Sequence, residues 1–255
     1  MDLVPVTLDP LDSDFIEIVT TADLHIGART HDNARAARHR QYILDSPNRY
    51  TLCLGDDFEN NLRSSPGAGV FEQQLSPREQ RAYGLRWFAP LVEADALLGF
   101  LESNHSFRGL KEADFSYEEW LADTCKTRYF GYHANLKVRV GEQVYTLFAT
   151  HGSTGASTDG GLLNAVLRLR DVCDAEVYLM GHAHRQLVHE TLRVRPDLAT
   201  NTLAEYRQHF AVAGSFLSYD GSYAAQLNLP RGCPGQISVR LYADCHHAEV
   251  VRLAD

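Results

Sequence analysis

Five short polar clusters stand where apolar runs break off: Asp23-Leu24-His25, Gly55-Asp56, Asn104-His105, His151-Gly152 and Gly181-His182-Ala183-His184. Carboxylates, amide oxygens and imidazoles at such places can hold divalent cations or move protons. In Leu52-Cys53-Leu54-Gly55-Asp56 three apolar residues run straight into Gly-Asp, which predicts a buried strand ending in a tight turn. A carboxylate there is fixed by its backbone and points into the crevice beyond the sheet. Asp56 therefore reads as the carboxylate that joins two metal ions, with the other clusters as the remaining ligands. Singly these motifs say little. Asp-x-His and Gly-Asp recur in surface turns, and Gly-His-x-His serves as a structural pair about as often as a ligand pair. Their shared position at strand ends carries the reading.

The elements that must position them follow from periodicity. Residues 15–20 read as a first strand leading to Asp23 and His25. Residues 32–44 read as a helix with Ala34, Ala37, Gln41 and Leu44 on one face, and 50–54 as a second strand. That strand–helix–strand order opens an α/β sheet, whose ligands lie beyond the carboxyl ends of the strands. Ser76-Pro77-Arg78-Glu79 is a capping box with proline at the first helical position. The helix it starts is expected to run to about Ala89 and to bury Trp87 and Phe88. A third strand at 97–101 delivers Asn104 and His105, and 116–124 suits a short helix. Alternation at 136–140 and 144–148 predicts a hairpin ending at His151. A helix over 162–169 and a strand over 176–180 lead to His182 and His184. The runs 187–194, 209–213, 237–242 and 248–253 alternate in a β-like way. Segments 60–75, 106–115 and 153–161 read as loops that shape specificity.

The chain of 255 residues, 44% of them hydrophobic, is expected to form one domain over 1–255. No apolar run reaches membrane-spanning length, and Met1-Asp2-Leu3-Val4-Pro5 has no signal-like core, so a cytoplasmic protein without membrane contact is expected. Five scattered cysteines without zinc or redox spacing suit reduced thiols. A net charge of −9 disfavours extended nucleic acid as a partner, while leaving room for a small anionic substrate.

In their order along the chain the five blocks resemble those of the calcineurin-like metallophosphoesterase superfamily. The segment from Gly55 through Gln73, Ser76-Pro77 and Gln80 to the turn containing Asn104-His105 looks like a branch found in prokaryotes and their phages. Ser103 stands where that superfamily usually has glycine, and Ser106 where it has Asp or Glu. The resemblance implies a four-layer α-β-β-α sandwich of two mixed sheets, with a dinuclear metal site at the strand ends. It assigns one metal to Asp23, His25 and His184, the other to Asn104, His151 and His182, and the bridge to Asp56. Such ligands suit two divalent ions, Mn²⁺, Zn²⁺ or Fe, better than calcium. It also implies attack by a metal-bridging hydroxide, with His105 as the catalytic residue that protonates the leaving oxygen. Arg108 and Arg185, beside these motifs, could grip a substrate phosphate as planar forks. Glu59 and Asn60 receive no chemical role. His31, His39, His133, His189, His209, His246 and His247 match no ligand position and read as structural or surface residues. The implied function is hydrolysis of phosphate esters, with a phosphodiesterase on small nucleotide-like substrates favoured. The alternatives are a phosphomonoesterase, a nuclease, or a noncatalytic scaffold of the same fold.

Overall fold

A computed structural model describes residues 2–253, apart from 64, 66–68, 223, 224, 226, 227, 229 and 230. Part of the expected loop 60–75 therefore lies outside the described residues, as does Tyr223 of the expected turn at 219–223. The first sheet has the order β1 (Leu3–Thr7), β6 (His133–Val140), β7 (Gln143–Thr150), β8 (Val177–Met180), β10 (Thr202–Val212), β9 (Leu187–Asp197). The second runs β12 (Ala248–Arg252), β11 (Ile237–Tyr242), β2 (Phe15–Thr21), β3 (Arg49–Cys53), β4 (Leu97–Phe100), β5 (Arg128–Tyr129). Both sheets mix parallel and antiparallel pairs.

Strand periodicity explains the layers. Alternate residues of both sheets, such as Ile16, Ile18, Leu52 and Leu54 against Leu136, Val138, Leu147 and Leu179, meet in one buried cluster between the sheets. The opposite face of β2 and β3 presents Val19 and Cys53 to three helices: α1 (Asn33–Leu44), α2 (Pro77–Glu93) and α4 (Tyr117–Cys125). The outer face of β7, β8 and β10 offers Phe148, Tyr178 and Phe210 to α5 (Asp159–Leu167). The α-β-β-α sandwich follows.

The capping box at Ser76 and Glu79 is present, and α2 buries Trp87 and Phe88 as its sequence suggests. Two local expectations are corrected, and two further features go beyond what the sequence suggests. The buried face of α1 is Ala36, His39 and Ile43, not Ala34, Ala37, Gln41 and Leu44. A polar residue inside the stripe disguised it: His39 is buried because its Nε2 bonds Thr21 Oγ1 at 3.0 Å. Residues 106–115 are not a loop; most belong to α3 (Asn104–Ala113), whose N-cap Ser103 accepts from Ser106 N. Pro5 hid β1, since proline is tolerated at a sheet edge, where β1 pairs in parallel with β6. Finally, the alternating tail forms a long hairpin, β9 and β10 pairing along their whole length from Leu187–Val212 to Asp197–Thr202.

Candidate metal centre

Five strands end at one place. β2 releases Asp23 and His25, β3 releases Asp56, and β4 leads into Asn104 at the start of α3. From the facing sheet β7 releases His151, and β8 releases His182 and His184. The turns are sharp. Asp23, His25, Asp56, His182 and His184 all adopt left-handed backbone conformations, with φ of +54°, +49°, +54°, +68° and +56°. Each such residue costs roughly 1–2 kcal/mol. They are held by neighbouring backbone: Asp23 N donates to Gly55 O at 3.0 Å and His25 N to Asp56 O at 2.9 Å. Clustering of strained residues is a mark of functional sites. Gly55, at φ +93°, has no room for a side chain, because a Cβ there would lie 2.7 Å from Ser103 Cβ.

The ligand atoms form two sets around Asp56. In the first, His184 Nε2 lies 3.1 Å from Asp23 Oδ1 and 3.2 Å from His25 Nε2. In the second, His151 Nε2 lies 2.7 Å from Asn104 Oδ1 and 3.3 Å from His182 Nδ1. Asp56 Oδ2 stands 3.2 Å from His151 Nε2 and 3.8 Å from His25 Nε2, between the two. Ligands about 2.1 Å from one ion sit roughly 3.0–3.4 Å from each other, depending on geometry. The observed spacings fall around that range. Asp23 Oδ1 is buried and accepts no hydrogen bond, while Oδ2 accepts from His182 N at 2.9 Å. An anionic oxygen without a donor, facing two imidazole nitrogens, fits a cation at their centre. All seven residues expected as ligands are thus brought together, and two of the groups able to hold a metal are Asp23-His25-His184 and Asp56-His151-His182. A third such group, His25-Asp56-His105, competes for the same atoms.

Hydrogen bonds aim the rings. His151 Nδ1 lies 2.9 Å from Leu54 O, and donation there leaves the Nε2 lone pair facing the site. His25 Nδ1 likewise pairs with Glu59 Oε2 at 2.9 Å. Burial works against ionising Glu59, but the bond and charge of His25 hold its carboxyl down at about 2. Burial opposes protonation of His151, yet Asp56 above all raises it to about 10. Burial likewise works against the charge of Asp56, which His105 and His151 nonetheless keep well below the ordinary carboxylate range.

Glu59 is the principal residue that sequence reasoning missed. Asn61 Nδ2 donates to Glu59 Oε1 at 2.8 Å, and Asn61 Oδ1 accepts from Arg108 Nη1 at 2.9 Å. Asn60 Nδ2 donates to His105 O, and Gln80 Oε1 accepts from Asn60 N, so a buried amide network ties His25 to His105. No spacing rule identifies which of several nearby acids reaches a histidine 34 positions away. Loss of such a partner typically costs 10–100-fold in metal affinity. Glu59→Gln should weaken metal binding by about that factor in calorimetric titration, with the fold retained. Unchanged affinity would remove Glu59 from the site.

His105 lies at the edge of the cluster, Nε2 3.9 Å from Asp56 Oδ2 and Nδ1 2.5 Å from Glu59 O. Arg108 lies beside that ring, Nη1 3.3 Å from His105 Nδ1 and Nη2 3.2 Å from Nε2. Arg185 instead bonds the carbonyls of Ala156, Ser157 and Thr158, fixing the 153–161 segment as a wall.

The two departures at Ser103 and Ser106 also find a setting. Ser103 Oγ donates to Glu118 Oε1 at 2.8 Å, and Ser106 Oγ accepts from Tyr117 N at 2.8 Å. Burial, then the charge of Glu102, raises the Glu118 carboxyl from 4.5 to about 8, against the pull of both serines. The folded chain therefore holds this proton more tightly than the unfolded one, and stability is withdrawn as pH rises from 4.5 towards 8. Glu118→Gln should flatten that decline and raise the melting temperature of metal-free protein at pH 8 by a few degrees. Parallel melting curves for both proteins across that range would contradict this.

The solved structures to which the chain is similar share little sequence with it. Zinc-complexed Vps29 from Entamoeba histolytica is 12% identical, with 93% of this chain and 98% of that one covered and a TM-score of 0.41. A predicted phosphoesterase from Streptococcus pneumoniae is also 12% identical, covering 94% and 98%, at a TM-score of 0.38. A Thermotoga maritima protein is 11% identical, covering 93% and 99%, at 0.36. No family model and no curated protein matches the sequence. The chain has an α-β-β-α sandwich of two mixed sheets whose strand ends carry groups able to hold metal. Among the described residues, no helix is long and apolar enough to cross a membrane.

Proposed function

We propose that this chain is a dinuclear-metal-dependent phosphodiesterase acting on small nucleotide-like esters. The observation that supports it most is the pair of ligand sets with Asp56 Oδ2 between them, 3.2 Å from His151 Nε2 and 3.8 Å from His25 Nε2. Two divalent ions, Mn²⁺, Zn²⁺ or Fe, would be held by Asp23, His25 and His184 and by Asn104, His151 and His182, with Asp56 common to both. When bound, such ions neutralise phosphate oxygens and acidify water.

The chain's own residues orient and protonate. Leu54 O and Glu59 fix the His151 and His25 rings before substrate arrives, so little reorganisation accompanies reaction. Asp23, His25, Asp56 and His151 are all buried, which keeps bulk water from the acidic floor, whereas the His184 side chain is 38% exposed and opens to the cleft. His105, with Nδ1–H given to Glu59 O, turns Nε2 towards the cluster, where it can hand a proton to the departing ester oxygen. Diesters are favoured because the Asn104-His105 pair is retained and no monoester clamp is evident in the sequence. A cytoplasmic setting suits the five free cysteines.

Metal-reconstituted protein should hydrolyse bis(p-nitrophenyl) phosphate faster than p-nitrophenyl phosphate. The reverse order would make it a phosphomonoesterase. No turnover of either, with no metal retained, would leave a noncatalytic scaffold.

A further inference from the structure

The cleft that opens from His182 and His184 is basic, in a protein of net charge −9. It encloses about 740 Å³, and among the described residues its walls include Arg29, Arg35, Arg185 and Arg231, with Glu59 and Asp220 as the acids. Those acids are already engaged, Glu59 with His25 and Asp220 with Arg231. Arg185 is engaged as well, being bonded to the carbonyls of the 153–161 wall. Arg35 stands 3.5 Å from Asp32.

Arg29 differs from these. It is exposed and, among the described residues, has no hydrogen-bond or ion-pair partner for its guanidinium. Its backbone is nevertheless held on both sides. Ala28 N donates to His25 O at 2.9 Å, and Ala28 forms a bridge with Gln73. On the other side Ser218 N donates to Thr30 O at 2.8 Å. A charged fork without a protein partner thus projects from a rigid segment that begins at His25. Such a group is organised to meet an anion at small entropic cost.

We propose that the cleft binds a second phosphate group of the substrate, with Arg29 as its main contact. The substrate class is then a phosphodiester whose adjoining nucleoside carries a further phosphate. This rests on the phosphodiesterase reading above. That reading requires one phosphate at the metal centre, and the charge of the cleft wall adds the requirement for another.

The test uses metal-reconstituted full-length protein and two pairs of chromogenic esters. The first is thymidine 5′-(p-nitrophenyl phosphate), with and without a 3′-phosphate. The second is thymidine 3′-(p-nitrophenyl phosphate), with and without a 5′-phosphate, and bis(p-nitrophenyl) phosphate serves as reference. In one pair the phosphorylated member should have a kcat/KM higher by roughly 10–100-fold, mostly through KM. The ratio within that pair should fall towards one in Arg29→Ala and recover in part in Arg29→Lys. Because the ratio is internal to each variant, partial loss of folded protein does not affect it. Equal values within both pairs, with the reference turned over, would overturn the second-phosphate site alone. So would a preference that survives Arg29→Ala. Failure to turn over the reference ester would overturn the phosphodiesterase reading, and this inference with it.

Discussion

Asp56→Asn should lower metal-dependent phosphodiester hydrolysis by at least about 10³-fold and leave the protein folded. The side chain is 2% exposed, and Oδ2 faces His151, His25 and His105 at 3.2, 3.8 and 3.9 Å. Oδ1 accepts from His105 N at 3.1 Å. Asparagine matches the shape and preserves an oxygen, but it removes the one negative charge common to both ligand sets. Lewis-acid stabilisation by metal is worth several kcal/mol, and about 4 kcal/mol corresponds to 10³ in rate. Initial rates on bis(p-nitrophenyl) phosphate, read beside metal content and circular dichroism, check this. Wild-type rates in a folded variant would mean that Asp56 is a structural acid.

His105→Ala should cost about 10²–10⁴-fold on esters whose leaving group is an alkoxide, and far less on p-nitrophenyl esters. An alkoxide needs a proton as it departs, and p-nitrophenolate does not. Burial pushes the His105 imidazole down, with Asp56 opposing and Arg108 reinforcing the shift, so its pKa lies below the ordinary 6.5. A residue used as an acid acts protonated. The alkoxide-ester rate should therefore fall as pH rises through that depressed pKa, and this limb should vanish in His105→Ala. Equal losses on both ester types would point to a ligand role instead, as the His25-Asp56-His105 grouping allows.

The candidate metal centre was legible in the sequence because its seven expected ligands follow five strands within a few residues. An apolar run and the polar group after it are enough to locate Asp23, Asp56, His151 and His182. The residues that steer those ligands were not legible. Glu59 and Asn61 act on partners brought near by folding, such as His25 and Arg108, and nothing in local pattern separates them from ordinary loop polarity. α3 was hidden for a related reason. Its start depends on Ser103 as cap, and Gly109 in its middle argues locally against a helix. The face of α1 was misread because His39 is buried by a hydrogen bond that periodicity cannot register.

The most direct test of the dinuclear site is anomalous diffraction from a crystal soaked in Mn²⁺. Two peaks per chain are expected, one among Asp23, His25 and His184 and one among Asn104, His151 and His182, both against Asp56. A single peak lying among His25, Asp56 and His105, or none at all, would contradict the two-metal account.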